Sequence, residues 1–137
     1  MTGPLVHFRT PTYRRPDTLL RTLQSKQGQT VDHWVCDVYD NDPEHSARDV
    51  VQSLGDARVR WTPNPEPLPP AANIDRCYTR KNPHDAEWFC SVEDDDYILP
   101  TFVQENIELA EMSGARIVLR NQIIELDSGT PEARLSD

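Results

Sequence analysis

The residues with the clearest chemical potential are four consecutive carboxylates, Glu93–Asp96, which follow an apolar segment and precede Tyr97–Pro100. Neighbouring carboxylates repel one another by roughly a few kcal/mol at the effective dielectric of a protein, so such a run is either left in water or neutralised by a cation. Ligands that are all oxygen favour a hard divalent ion, Mg²⁺ or Mn²⁺. The alternative is a solvated acidic turn whose aspartates cap a helix predicted to begin near Pro100.

A second segment, Arg9–Pro16, combines an aromatic ring with basic groups in a turn stiffened by two prolines. A planar base could stack on Tyr13 while the guanidinium group of Arg14 or Arg15 approaches a phosphate. The alternative is a plain connection from strand to helix, with Pro16 at the first helical position.

A third segment, Asp40-Asn41, ends another apolar stretch. A carboxylate and an amide can together read the edge of a base, whereas the alternative is a turn stabilised by these side chains and leading to Pro43. The three cysteines and four histidines show no CxxC, HxH or HExxH spacing, so no zinc site is expected from them.

The elements that must position these groups are predicted from apolar periodicity and from turn residues. Strands are predicted at residues 5–10, 33–39, 58–62, 87–92, 116–119 and 122–126, and helices at 16–28, 43–54, 71–80 and 100–112. This alternation predicts an α/β fold, a three-layer sandwich around a mostly parallel sheet. Ligands bind at the carboxyl edge of such sheets, so Pro11–Arg15, Asp40–Asp42 and Glu93–Asp96 are expected to converge on one cleft.

Bulk composition narrows the classes of function. With 137 residues and 36% hydrophobic content, one domain over residues 1–137 is expected, and the tail from residue 130 to 137 has no structural signal and is expected to be disordered. A net charge of -9 without a basic tract argues against nucleic acid as a partner. Neither a membrane span nor a signal peptide is recognisable, and a cytoplasmic location is expected.

The order of the three polar motifs along the chain resembles that of a known enzyme family. "TPTYRRP", "YDND" and "VEDDDYILP", each after an apolar strand, resemble the nucleotide-sugar-binding half of family 2 glycosyltransferases, which have the GT-A fold. The resemblance runs from about Val6 to about Asn106 and includes "LLRTLQSKQGQT" and the "DARVRWTPN" stretch before a helix that carries Asn73. It implies a GT-A fold of the nucleotide-diphospho-sugar transferase type, apparently truncated after its donor half.

The resemblance also implies roles for individual residues. The residues that would bind the nucleotide are Pro11, Thr12, Tyr13, Arg15, Asp40, Asn73 and Asp94. Tyr13 would lie against the base and Asp40 would bond its edge. Asp95 takes the place of the main metal ligand and Glu93 the first acidic place, with Mn²⁺ or Mg²⁺ bridging the carboxylate and the donor phosphates. Either Asp94 or Glu93 would face the ribose or the second coordination shell.

The implied activity is metal-dependent transfer from a nucleoside-diphosphate sugar, with UDP favoured, to an acceptor hydroxyl with inversion. Two departures count against a complete enzyme. Ala71-Ala72 stand where the family usually carries an arginine before the residue matching Asn73, and the acceptor half and catalytic base lie beyond the strand that resembles Arg116–Leu119.

Three alternatives to a glycosyltransferase domain stay open, and one of them is an α/β domain with only an acidic surface patch. The base stays unassigned, and a non-catalytic nucleotide-binding module is the main alternative. A sugar-phosphate nucleotidyltransferase would need a glycine-rich loop, but Thr10–Pro16 contains no glycine. Apolar faces left uncovered by a missing half would favour a homodimer or a partner chain.

Overall fold

A computed structural model describes residues 3–120, 122–125 and 131–134 of the protein. Its centre is a four-stranded sheet in the order β3-β2-β1-β4, and all three strand pairings are parallel. The strands are β1 Val6–Thr12, β2 Trp34–Asp40, β3 Val59–Pro63 and β4 Trp88–Ser91. The predicted α/β class with a mostly parallel sheet is confirmed.

Helical segments lie in each connection between successive strands of the parallel sheet, and a further helix follows β4. The helices are α1 Pro16–Gln27, α2 Ser46–Leu54, α3 Pro70–Asp75 and α4 Phe102–Ser113, and a 3₁₀ turn at Arg76–Tyr78 follows α3. A separate antiparallel pair is formed by β5 Gln122–Glu125 and β6 Pro131–Arg134. The chain divides into two compact units, Met1–Val103 and Gln104–Asp137, and the first contains the whole parallel sheet. The expectation of one domain stays a prediction.

The two faces of the sheet differ in chemistry because side chains alternate along each strand. One face carries the buried side chains of Phe8 and Cys36 and packs under α1, whose Lys26 ammonium lies 5.3 Å from the Phe8 ring centre. The other face is polar and carries His7, Arg9 and Asp37, all of them buried. The acidic and basic groups on this second face need partners inside the protein.

Arg9 bonds the polar face of the sheet to the segment from residue 77 to 81. Its guanidinium donates to the backbone oxygens of Cys77, Thr79 and Lys81, each at 2.9 Å. The helix predicted over residues 71–80 instead ends at Asp75 and continues only as a 3₁₀ turn at Arg76–Tyr78, and Arg9 bonds the Cys77 and Thr79 carbonyls beyond it.

Two local predictions differ from the structure. Residues 116–119 form no strand, and Ile117 and Leu119 are 78% and 82% exposed. A strand is stable only when its backbone groups pair, and the described residues provide no pairing strand for this segment. Strand β6 lies in the tail for which disorder was expected, where Thr130 and residues 135–137 fall outside the described residues. Within the described ranges no helix is long and apolar enough to cross a bilayer.

Candidate functional site

The carboxyl edge of the sheet joins the three polar segments by hydrogen bonds. At the end of β1, the Thr12 carbonyl accepts a bond from the Asn41 backbone N–H at 3.0 Å. The Thr12 hydroxyl donates to Asp94 Oδ2 at 2.9 Å. The turn after β1 is therefore bonded both to the end of β2 and to the acidic run that follows β4.

Asp94 differs from its neighbours in the acidic run because its side chain points towards this turn. It is 7% exposed, and its carboxylate also accepts a bond from the Tyr13 N–H at 3.4 Å and lies 3.6 Å from Arg15 Nη1. Burial raises the pKa of Asp94 above its ordinary value, against the opposing effect of the Thr12 hydroxyl and the Arg15 charge. Asp94 thus holds the turn after β1.

The remaining carboxylates of the run form an exposed oxygen cluster. Glu93, Asp95 and Asp96 each place one carboxylate oxygen within 4.8 Å of the others. Partial desolvation and the neighbouring negative charges raise the pKa of Glu93 and of Asp96. Closely spaced oxygen ligands that repel one another suit a hard divalent cation, so these residues fit Mg²⁺ or Mn²⁺. The structure places Asp96 beside Glu93 and Asp95, the two residues predicted from the sequence as metal ligands.

Helix α1 fixes the backbone of the acidic run. The Thr22 hydroxyl bonds to the carbonyl oxygens of Asp94 and Asp96. Arg21 donates to the Asp95 carbonyl at 3.3 Å, and Arg15 Nη1 donates to the Asp95 carboxylate at 2.9 Å. The cluster is therefore positioned by α1 on one side, while its carboxylates face solvent.

The turn after β1 is held in a strained conformation. Arg14 has a φ of 52°, in the left-handed region that is unfavourable for residues other than glycine. Its Nε donates to Asp42 Oδ1 at 3.1 Å, and Asp42 also accepts bonds from the N–H groups of Glu44 and Ser46. Burial would raise the pKa of Asp42, but these donors outweigh it and lower the pKa to about 2. Backbone strain of this kind is concentrated at functional sites.

Tyr13 lies at the tip of this turn. Its side chain is 50% exposed, and the Arg14 guanidinium lies 5.1 Å from the ring centre. Pro11, in contrast, is buried within β1. Tyr13 is thus accessible to a planar ligand, as a base-stacking residue must be.

Asp40 and Asn73 are buried and bonded within the protein. The Asp40 carboxylate is 1% exposed and accepts bonds from the Asp42 and Ala47 N–H groups and from Trp61 Nε1. The Asn73 amide oxygen accepts a bond from Asn64 at 2.9 Å. Both residues hold the turns of the cleft in place, and their contacts with a nucleotide stay predictions.

A second cluster, formed by His7, Asp37 and His84, was not predicted from the spacing of residues in the sequence. Nε2 of His7 and Nε2 of His84 both lie 2.7 Å from the same oxygen, Asp37 Oδ2. The two histidines are too far apart in sequence for a spacing motif. The available signal was polar side chains at alternate positions of buried strands, His7 and Arg9 in β1 and Asp37 in β2.

The hydrogen bonds of this second cluster favour a structural network over a metal site. Arg9 Nε donates to His7 Nδ1 at 3.2 Å, so the ring hydrogen of His7 lies on Nε2 and points to Asp37. A metal would need the lone pair of that nitrogen, and Arg9 is held by three carbonyls. Burial would raise the pKa of Asp37, but the hydrogen bonds from His7 and His84 outweigh it and lower the pKa to about 2.

No protein-family model and no curated protein sequence matches this chain. Solved structures do match. S. aureus TarS has a TM-score of 0.62 and 13% identity over 86% of this chain and 20% of its own. TarS 1-349 in complex with UDP has a TM-score of 0.63 and 14% identity over 78% of this chain and 32% of its own.

A mannosyltransferase, PcManGT from Pyrobaculum calidifontis in complex with GDP-Man and Mn²⁺, has a TM-score of 0.54 and 15% identity over 69% of this chain and 28% of its own. The chain spans about a fifth to a third of the length of these structures. At this level of identity the likeness bears on the fold. The fold of this chain is that of part of a GT-A glycosyltransferase.

Proposed function

We propose that the chain is the donor-binding part of a metal-dependent glycosyltransferase. The donor is a nucleoside-diphosphate sugar, with UDP favoured, and the sugar is transferred to an acceptor hydroxyl with inversion. The observation that carries the proposal is the bond from Thr12 to Asp94, which joins an accessible aromatic turn to an oxygen cluster suited to a divalent ion. Structures of the same fold in complex with UDP, UDP-GlcNAc and GDP-Man with Mn²⁺ support it.

In this proposal Glu93, Asp95 and Asp96 hold Mn²⁺ or Mg²⁺. A divalent ion at this place supplies Lewis-acid stabilisation of the negative charge that develops on the departing nucleoside diphosphate. The chain's own residues orient the donor. Tyr13 stacks on the base, and Asp94 holds the turn that carries Tyr13 at a fixed distance from the oxygen cluster.

Buried Asp40, Asn73 and Pro11 keep this cleft preorganised, because a donor that enters a rigid site loses less binding energy to ordering. A contact from Asp40 or Asn73 to the base or ribose belongs to the same proposal. Such a contact requires the donor to reach the turns that these side chains hold.

A non-catalytic nucleotide-binding module is the second candidate. Ala71 and Ala72 favour it, because they bring no cation to the diphosphate. The two candidates differ in turnover, since a module would bind UDP without hydrolysing or transferring the sugar. In both, the exposed side chains of Met112, Ile117 and Leu119 in the second unit support association with a second copy or a partner chain.

The direct test is calorimetric titration of UDP, GDP and ADP into the protein, first with Mn²⁺ and then with EDTA. We expect Asp95→Ala to weaken UDP binding in Mn²⁺ by about 10- to 100-fold and not to weaken it in EDTA, because the contribution that is lost depends on the metal. Tyr13→Ala is expected to weaken binding by about tenfold in both buffers, because stacking does not need the ion.

Asp49→Ala is the matched control, because Asp49 is an exposed aspartate outside the site. Folded protein that binds none of the three nucleotides would refute both candidates. Equal effects of Asp95→Ala in Mn²⁺ and EDTA would refute the assignment of the metal ligand alone.

A further inference from the structure

Asp95 combines two features that conflict. It belongs to the oxygen cluster that suits a divalent ion, yet its carboxylate is already paired with a cation. Arg15 Nη1 lies 2.9 Å from Asp95 Oδ2 and 3.6 Å from Asp94 Oδ1. A divalent ion that binds Asp95 would therefore meet the positive charge of Arg15 at the same carboxylate.

The ion pair between Arg15 and Asp95 costs little free energy to separate. The two side chains are 55% and 46% exposed, and exposed ion pairs contribute little to stability because water screens them. Opening the pair would leave Asp94 in place, because the Thr12 hydroxyl and the Tyr13 N–H hold that carboxylate independently.

The backbone of Arg15 is fixed in position, so only its side chain can move away from Asp95. Arg15 is the residue before α1, its carbonyl accepts the Leu19 N–H at 2.9 Å, and Pro16 fixes the next φ. A guanidinium group released from Asp95 stays within a side chain's length of the oxygen cluster. It presents a planar set of donors that matches phosphate oxygens.

We propose that Arg15 acts as an exchangeable latch: it holds Asp95 in the metal-free protein, leaves that carboxylate when a divalent ion binds, and then pairs with the donor diphosphate. This inference rests on the proposed function and goes beyond it, because it makes one residue unfavourable for the metal and favourable for the nucleotide. It also supplies the diphosphate cation that Ala71 and Ala72 do not.

Arg14 is a natural control for Arg15. The two neighbours are similarly exposed, at 51% and 55%, but Arg14 pairs with Asp42, a carboxylate outside the acidic run. Removal of either arginine changes the net charge by the same amount at nearly the same place. A difference between the two variants in Mn²⁺ binding without nucleotide therefore reports the contacts of Arg15 with Asp95 and Asp94.

The first measurement is the affinity for Mn²⁺ in the absence of nucleotide. The electron paramagnetic resonance signal of the free ion reports how much Mn²⁺ remains unbound. We expect Arg15→Ala to bind Mn²⁺ about two- to fivefold more tightly than the unmodified protein, because the competing cation is gone. Arg14→Ala and Arg15→Lys are expected to stay close to the unmodified protein, the latter because a charge remains.

The second measurement is UDP binding at saturating Mn²⁺. Here Arg15→Ala is expected to be weaker by about tenfold, because a charge-assisted bond to phosphate is lost, and Arg15→Lys is expected to recover part of the affinity. Circular dichroism establishes that each variant is folded. Opposite signs for the metal and for the nucleotide are the signature of the latch, and a purely structural role of Arg15 would weaken both.

The outcomes separate the latch from the proposed function. Unchanged or weaker Mn²⁺ binding by Arg15→Ala, with metal-dependent UDP binding intact in the unmodified protein, overturns the latch alone. If neither the unmodified protein nor Arg15→Ala binds Mn²⁺, the metal site itself is refuted and the latch with it.

Discussion

The pKa values of Asp37 and Asp96 are shifted in opposite directions because the two carboxylates have different surroundings. Asp37 lies on the polar face of the sheet, where His7, His84 and Thr62 donate to its two oxygens. The run that contains Asp96 lies at the edge of the same sheet, where the carboxylates face one another. The pKa of Asp37 falls to about 2, whereas the pKa of Asp96 rises.

The difference separates an acid whose oxygens are bonded by protein donors from one that the proposed function assigns to a cation. A buried carboxylate whose lone pairs are filled by protein donors has no capacity left for a ligand. A carboxylate that keeps unrelieved repulsion destabilises the free protein, and this cost is recovered only when a cation binds. The predictions that follow break or sharpen this contrast, from the largest expected effect to the smallest.

Asp37→Asn is expected to have the largest effect. An amide oxygen cannot accept both histidine bonds as strongly as a carboxylate, and its NH₂ group would face donors. We expect the free energy of unfolding to fall by about 3 kcal/mol, as when one partner of a buried charged network is lost. Urea unfolding at pH 7 measures this change.

The matched control is Asp49→Asn, at an exposed aspartate, for which we expect a change within about 0.5 kcal/mol. If Asp37→Asn were as mild as this control, the histidine cluster would not be a stabilising network. Mn²⁺-dependent UDP binding by Asp37→Asn should persist under conditions where the variant is folded.

The acid limb of the stability curve tests the same cluster. The pKa of Asp37 is about 2 in the folded protein, below its value in the unfolded chain, so its contribution is present above about pH 4 and is lost as the pH falls towards 2. Integrated over this window, the shift corresponds to about 2 kcal/mol. We expect the difference in unfolding free energy between the unmodified protein and Asp37→Asn to shrink by about 1.5 kcal/mol from pH 4.5 to 2.5, because Asp37 is still largely ionised in the folded protein at pH 2.5.

Asp42 remains in both proteins and cancels from this comparison, although its pKa is also about 2. A constant difference across the window would mean that Asp37 is not held as a charged group. In that case the two histidines would owe their positions to packing.

The sequence predicted the parallel sheet and the edge at which the three polar segments meet, because these depend on local patterns. Apolar strands alternating with helices specify a parallel sheet, and a parallel sheet brings the residues after each strand together. Thr12, Asp94 and Asp95 were therefore located without coordinates. That Asp94 points away from Glu93, Asp95 and Asp96 required the structure, since the direction of each carboxylate depends on donors such as the Thr12 hydroxyl.

Long-range partners explain most of what the sequence did not predict. His84 meets Asp37 from a distant loop, and no spacing rule connects them. The strand predicted at residues 116–119 failed for the same reason, because an apolar pattern does not show whether a partner strand is available. Arg15 was predicted near the nucleotide, but its pairing with Asp95 required coordinates.

Mn²⁺ should stabilise the folded protein through the acidic run. A ligand that binds only the folded state raises the unfolding free energy by RT ln(1 + [L]/Kd), which is about 1.4 kcal/mol at ten times Kd. Thermal unfolding with Mn²⁺ and with EDTA measures this increase. Asp95→Ala should abolish it and Asp37→Asn should retain it, and an equal increase in Asp95→Ala would place the ion elsewhere.

Asp96→Asn should produce the smallest effect, and one of opposite sign to Asp37→Asn. Burial and the charges of Asp95 and Asp94 raise its pKa in the folded protein, so ionised Asp96 opposes folding at pH 7, and this opposition disappears below the pKa of the unfolded chain. Because the side chain is exposed and screened by water, we expect a gain of only about 0.3 kcal/mol at pH 7 in metal-free buffer.

The gain should vanish at pH 3. It should shrink in 0.5 M salt (about 4 Å screening length), since the part of it that comes from repulsion by Asp95 and Asp94 is then screened. The bond from Thr22 to the Asp96 carbonyl is unaffected by the change, so packing against α1 stays the same in the comparison. A loss of stability at pH 7 would mean that Asp96 makes a favourable contact in the metal-free protein. The Asp→Asn replacement is expected to destabilise the protein at Asp37 and to stabilise it at Asp96. A loss of stability at both positions would mean that the replacement does not distinguish a carboxylate bonded by protein donors from one that is repelled by its neighbours.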